Sequence, residues 1–118
     1  MARICLGYNS TNITMLNESI EQFAADIAKR FAPEKIILFG SQAQGSATSD
    51  SDVDVLVLMD FHGTPAQMAA KIRSQVDHPF PLDLLVRRPA DVAWRIAQND
   101  FFLRDIFTIG KVLYDSSH

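Results

Sequence analysis

Cysteine is nearly missing from this chain: Cys5 is the only one among 118 residues. A single thiol excludes an internal disulfide framework and fits a reducing compartment. Cations are also in short supply, with 11 Lys and Arg against 14 Asp and Glu for a net charge of −3. Lys29-Arg30 and Arg87-Arg88 are the only basic doublets. The clustered Lys and Arg of a general nucleic-acid binder are therefore lacking, and no direct nucleic-acid contact is expected. No apolar run approaches the roughly 20 residues of a membrane helix. The first residues do not show the charged, apolar and cleavage segments of a secretory signal. A cytoplasmic protein with no membrane partner is the expectation. His62, His78 and His118 have no ligand-like spacing, which argues against zinc.

What remains is the composition of an ordinary globular protein, 47% hydrophobic and 21% charged, with length for one core and one domain over residues 1–118. Residues 1–13 carry no dependable period and are expected to be flexible. Over residues 15–31, Leu16, Ile20, Phe23, Ala24, Ile27 and Phe31 recur at helical spacing, with Thr14 as a candidate cap and Pro33 past the end. KIILF, from Lys35, reads as a strand ending at Gly40, followed by a Ser/Thr/Gly-rich loop with room for one helical turn at residues 42–44. VDVLVLM, from Val53, begins alternating and becomes continuously apolar, as a central strand does. Thr64, Pro65 and Gln67 form a helix start: cap, first-position proline and capping-box partner. LDLLV, from Leu82, is a third strand. Pro89 opens a further helix, a last helix spans residues 100–109 with Gly110 as its stop, and residues 112–114 suggest a final short strand. On a wheel of that last helix, Phe102, Leu103, Ile106, Phe107 and Ile109 form a core arc. Phe101 projects outward as a candidate partner contact. The order of elements predicts an α+β, two-layer domain with a mixed sheet.

The chemistry concentrates in residues 40–58, GSQAQGSATSDSDVDVLVL. Asp52 and Asp54 stand two apart at a strand start, so both project from one face while Val53 and Val55 point into the core. Either motif alone reads blandly, the Gly-Ser pair as a turn and the Asp pair as solvated edge decoration. Together they place small residues with free N–H groups, suited to phosphate, before two like charges that need a counterion. A hard divalent cation such as Mg²⁺ takes such carboxylates together with substrate phosphates. Asp83 interrupts the apolar LDLLV strand, and a carboxylate there is costly to bury unless paired or metal-bound. Three acids on neighbouring strands can hold two Mg²⁺ ions, one for the attacking hydroxyl and one for the departing pyrophosphate.

Gly-Ser, ten residues, then Asp-x-Asp, with PLDLLV downstream and GKVLYD at the close, resembles the minimal nucleotidyltransferases of the polymerase β superfamily. These are the MNT or MntA-type antitoxins encoded beside HEPN-domain partners. The resemblance spans nearly the whole chain. It implies that Gly40, Ser41 and Ser51 contact the nucleotide, that Asp52, Asp54 and Asp83 ligate metal, and that Asp83 helps deprotonate the acceptor. It further implies transfer of AMP from ATP to a tyrosine of a HEPN toxin, which is silenced and held in a hetero-oligomer. Many relatives read Gly-Ser-Arg-Ala-Arg-Gly at the turn, where this chain has Gln42 and Gln44. The neutral amides replace two fixed cations near the triphosphate. Two alternatives follow: a module that neutralises the toxin by contact alone, or a free-standing transferase acting on a small-molecule hydroxyl. Lys71, Arg73 and Arg87 are the cations that could compensate, and Asp50 is read as a loop or capping acid.

Overall fold

The computed structural model describes residues 2–45 and 52–117, with side chains from Leu16 onward. Helix α1 covers Ala2–Phe31, well before the expected start, so Thr14 lies within it and not at its first turn. Once the apolar face of residues 16–31 is docked, each added residue extends a helix whose nucleation is already met. Ala32, at φ 48°, then turns the chain into buried Pro33.

Strand β1 (Lys35–Phe39) leads into a single helical turn, α2 (Ser41–Gln44), and β2 spans Val53–Leu58. Helix α3 (Pro65–Gln75) starts as its sequence dictates: Thr64 Oγ1 accepts from the Gln67 N–H at 3.1 Å, and Gln67 Oε1 accepts from the Thr64 N–H at 3.0 Å. Next come β3 (Leu82–Arg87), α4 (Pro89–Ala97), α5 (Phe101–Ile109) and β4 (Lys111–Asp115). Asp100 caps α5 by accepting from the Leu103 N–H at 3.0 Å.

The four strands run in the order β3-β2-β1-β4, with β2 and β3 parallel and the other pairs antiparallel. This is the mixed sheet of the α+β class. Helices cover both faces of it, whereas the pattern suggested two layers. On one face, α1 and α3 bury Phe23, Ile27 and Ile72 against Ile36, Val53, Val55 and Val57. On the other, Val92, Leu103 and Ile106 pack on Ile37, Phe39, Leu56 and Leu58. Burial on both sides is why β2 reads as continuously apolar after Asp54. Each such Ile, Val or Leu stabilises the fold by about 1.5–3 kcal/mol.

The second layer is thinner than the wheel implied. Phe102 and Ile109, expected in the core arc, are 56% and 54% exposed. Only Leu103 and Ile106 reach the sheet fully, and among the described residues no further element packs on the flank that carries the other two. Phe101 is exposed, as anticipated, with the Arg104 guanidinium 5.5 Å from its ring centre.

The free edge of β3 is guarded. Val53 and Met59 of the β2 side take the carbonyls of Pro81 and Arg87, so the even-numbered carbonyls of β3 face outward. Arg73 donates to Leu82 O at 2.7 Å and Arg87 donates to Val86 O at 2.8 Å. Charged side chains over edge carbonyls discourage strand addition.

Candidate functional site

Antiparallel and parallel pairing bring three residues into one row across the sheet. Phe39 lies opposite Asp54, and Asp54 lies opposite Asp83. All three project from the face that carries Leu56 and Leu58, at the end of the sheet where β1 finishes and β2 and β3 begin. Asp54 is half-buried, while Asp83 and the preceding Asp52 are exposed.

The turn after β1 is built against this row. Gly40 has φ 72° and its Cα abuts the Asp54 carboxylate, so a β-carbon there would collide with Asp54 Oδ2. Both the left-handed backbone and the close approach require glycine. The Gln44 N–H donates to Gly40 O at 3.2 Å and closes α2. The first N–H groups of that turn have no partner within it, because a helix start always leaves them free. Ser41 is half-buried beside them.

Burial holds the Asp54 carboxyl above its ordinary range near 3.8, and the charges of Asp83 and Asp52 and a hydrogen bond with the Asp83 carboxyl push it in the same direction. Every one of these effects disfavours the charged form. Asp54 and Asp83 are therefore joined as a pair, and Asp52 is near enough to be felt. Among the described residues, no three His, Cys, Asp or Glu side chains are arranged as a metal-ligand set. The donors nevertheless suit a hard divalent cation: all are carboxylate oxygens, crowded together and in need of positive charge.

Two residues named from the sequence, Ser51 and Asp50, lie outside the described residues. The cations divide. Arg73 is fixed to Leu82 O, one residue from Asp83, and stands at the acid end. Arg87 is four residues further along β3, roughly 13 Å away, and Lys71 is exposed on α3. Gln44 is exposed, whereas Gln42 Nε2 is buried without a hydrogen-bond partner among the described residues. Leaving such a donor unmatched costs about 1–3 kcal/mol.

Reading the sequence did not place Phe39 beside Asp54, nor Phe102 on Phe39, where the ring centres are 5.8 Å apart at 85°. Phe39 closes an apolar strand and looks like core; only the strand register makes it a neighbour of the acids. Two sizeable cavities lie elsewhere. One of about 380 Å³ sits between Pro33, Met59 and Tyr114, and another of about 490 Å³ follows the β3 edge between α3 and α4. The acid row is open to solvent rather than enclosed.

No curated protein matches the chain in sequence. Its fold is similar to that of a crystallised protein from Sulfolobus solfataricus whose assignment as a nucleotidyltransferase is itself provisional. The TM-score is 0.63 at 15% identity, over 89% of this chain and 85% of that one. The sequence model of the polymerase beta nucleotidyltransferases matches residues 18–118, which span every strand and the whole acid row. By that match, the chain belongs to the polymerase beta nucleotidyltransferase family.

Proposed function

We propose that the acid end of the sheet transfers AMP from ATP to a tyrosine hydroxyl of a HEPN-domain toxin, and that the protein acts as its antitoxin. The observation that carries this reading is the packing of Gly40 against Asp54 while Asp54 stands directly opposite Asp83 on the neighbouring strand. It sets a phosphate-sized turn and a carboxyl pair side by side on a rigid sheet. In the proposed reaction the hydroxyl oxygen attacks the α-phosphorus, the bond to the β-phosphate oxygen breaks, and pyrophosphate leaves. The hydroxyl proton passes to a carboxylate, with Asp83 best placed because it lies at the exposed edge of the row. Gly40 and Ser41 would orient the β- and γ-phosphates through backbone N–H groups and the Ser41 hydroxyl, and Ser51 would add a contact. Mg²⁺ held by Asp52, Asp54 and Asp83 would supply Lewis-acid stabilisation of the charge that develops on the phosphate oxygens.

The test uses the full-length chain with Mg²⁺, the toxin and ATP labelled at the α-phosphate. Label should reach the toxin, and intact mass should show the gain of one AMP. Asp54→Asn should lower labelling by more than about 100-fold, since even outer-shell changes at metal sites cost 10–100-fold. A toxin that stays unlabelled by the wild-type chain, under conditions where an active relative labels its own partner, refutes the enzymatic reading.

The neutral Gln42 amide, without a partner among the described residues, favours one second reading, neutralisation by contact alone. In that case Asp52→Asn should protect cells from the toxin as well as the wild-type chain does.

A further inference from the structure

We infer that Phe102 is the stacking platform for the nucleobase, which gives this site a base-holding residue on α5. The inference rests on the nucleotide-site reading above, and four observations lead to it.

Phe102 is 56% exposed, an unusual position for a phenyl ring that belongs to the sheet-facing half of a helix. The ring is anchored: it meets buried Phe39 in a T-shaped contact, with centroids 5.8 Å apart. Phe39 is the direct cross-strand partner of Asp54 and shares its face. Phe39 is also the residue before the Gly40-Ser41 turn. Phe102 is thus one strand spacing of about 4.8 Å and one ring contact from the carboxyl pair, on the face toward which the acids project. A nucleotide with its α-phosphate at that pair reaches this ring with its sugar and base.

The physical chemistry suits a base. A ring that is more than half exposed and anchored by a single T-shaped contact keeps a π-face free and loses little side-chain entropy when something stacks on it. Base–aromatic stacking tolerates any base, so the ring contributes affinity without reading hydrogen bonds. It also fits the composition of the turn. With Gln42 and Gln44 in place of cations, less affinity is available from the triphosphate and more must come from the base. Phe101 provides an internal control. It is equally exposed at 66% and sits next in sequence, but it projects from a different side of α5 with Arg104 at 5.5 Å.

Calorimetry with Mg²⁺ and either ATP or inorganic tripolyphosphate tests the assignment on the full-length protein. Phe102→Ala should weaken ATP binding about tenfold, within the range measured for stacked bases, and leave tripolyphosphate affinity unchanged. Phe102→Trp should retain or tighten ATP binding, and Phe101→Ala should alter neither ligand. The inference is overturned if Phe102→Ala binds ATP like the wild type, or if it loses ATP and tripolyphosphate equally. It is also overturned if Phe102→Ala impairs only capture of the partner protein. Failure of the wild-type protein to bind ATP at all refutes the nucleotide site itself, and the base platform with it.

Discussion

The two ends of the sheet treat charge in opposite ways. At the end where β1 begins and β2 and β3 finish, Lys35 and Arg88 each have nearby partners. Lys35 lies 3.6 Å from Asp115 across the β1–β4 pair. Arg88 stacks on the Phe61 ring at 4.1 Å, donates to Gly63 O at 2.7 Å and to Phe61 O, and lies 3.7 Å from Asp91. At the end where β1 finishes, Asp52, Asp54 and Asp83 gather, and a glycine is pressed against the middle one. The first end converts charge into stability by matching it. The second holds like charges together at a cost to folding, and such cost concentrates where a ligand is meant to bind. The acid end also carries a turn that only glycine can occupy, at Gly40.

The largest effect should come from the glycine. Gly40→Ala must adopt φ 72° with a β-carbon and displace the Asp54 carboxylate. The left-handed conformation alone costs about 1–2 kcal/mol, and the collision adds to it. The melting temperature should fall by several degrees and ATP binding should vanish. A variant that melts and binds like the wild type would show that the acid end is not tightly built.

Next in size is the removal of a charge that burial, and then repulsion, disfavours. Asp54 has a folded-state pKa above its ordinary 3.8. Below that value the carboxyl is protonated in both folded and unfolded chains and the stabilisation is fully present. As pH rises through the raised folded pKa, the folded state must hold a charge it disfavours, and stability is lost. Asp54→Asn should therefore melt a few degrees higher than the wild type at pH 7, with the gap closing as pH falls toward 3.8. Mg²⁺ should raise the wild-type melting temperature and leave Asp54→Asn unmoved, by ordinary binding linkage. Thermal melts across pH, with and without Mg²⁺, check both. A gap independent of pH would remove the electrostatic contrast between the ends.

The smallest effect belongs to the matched end. Lys35→Met removes a partly exposed ion pair worth about 0.2–1 kcal/mol, so denaturant melts should shift only slightly and nucleotidyl transfer should keep its wild-type rate. A fall in transfer rate at unchanged stability would show that the two ends are coupled.

Local rules were legible in the sequence wherever a residue's neighbours in the chain set its role. The Thr64–Gln67 capping box and the proline at the start of α4 are short-range devices, and each formed where its spacing indicated. The start of α1 was missed because a helix can extend beyond its amphipathic part without an apolar signal. The core arc of α5 was overdrawn for a different reason. A wheel shows which residues share a side, and it does not show how wide the facing surface is.

For the site, the chain alone determined the ingredients: a Gly-Ser turn, Asp52 and Asp54 on one face by strand alternation, and an isolated carboxylate at Asp83. These follow from the period of a strand and the conformational freedom of glycine, which act over a few residues. Tertiary structure decided that Asp54 meets Asp83 on one side and Phe39 on the other, that Gly40 presses on the acid, and that Arg73 reaches the acid end while Arg87 does not. Strand order and register are set by burying two apolar faces at once. A one-residue slip would turn every side chain of a strand to the other face, so the packed core, and not the spacing of the acids, holds them in a row.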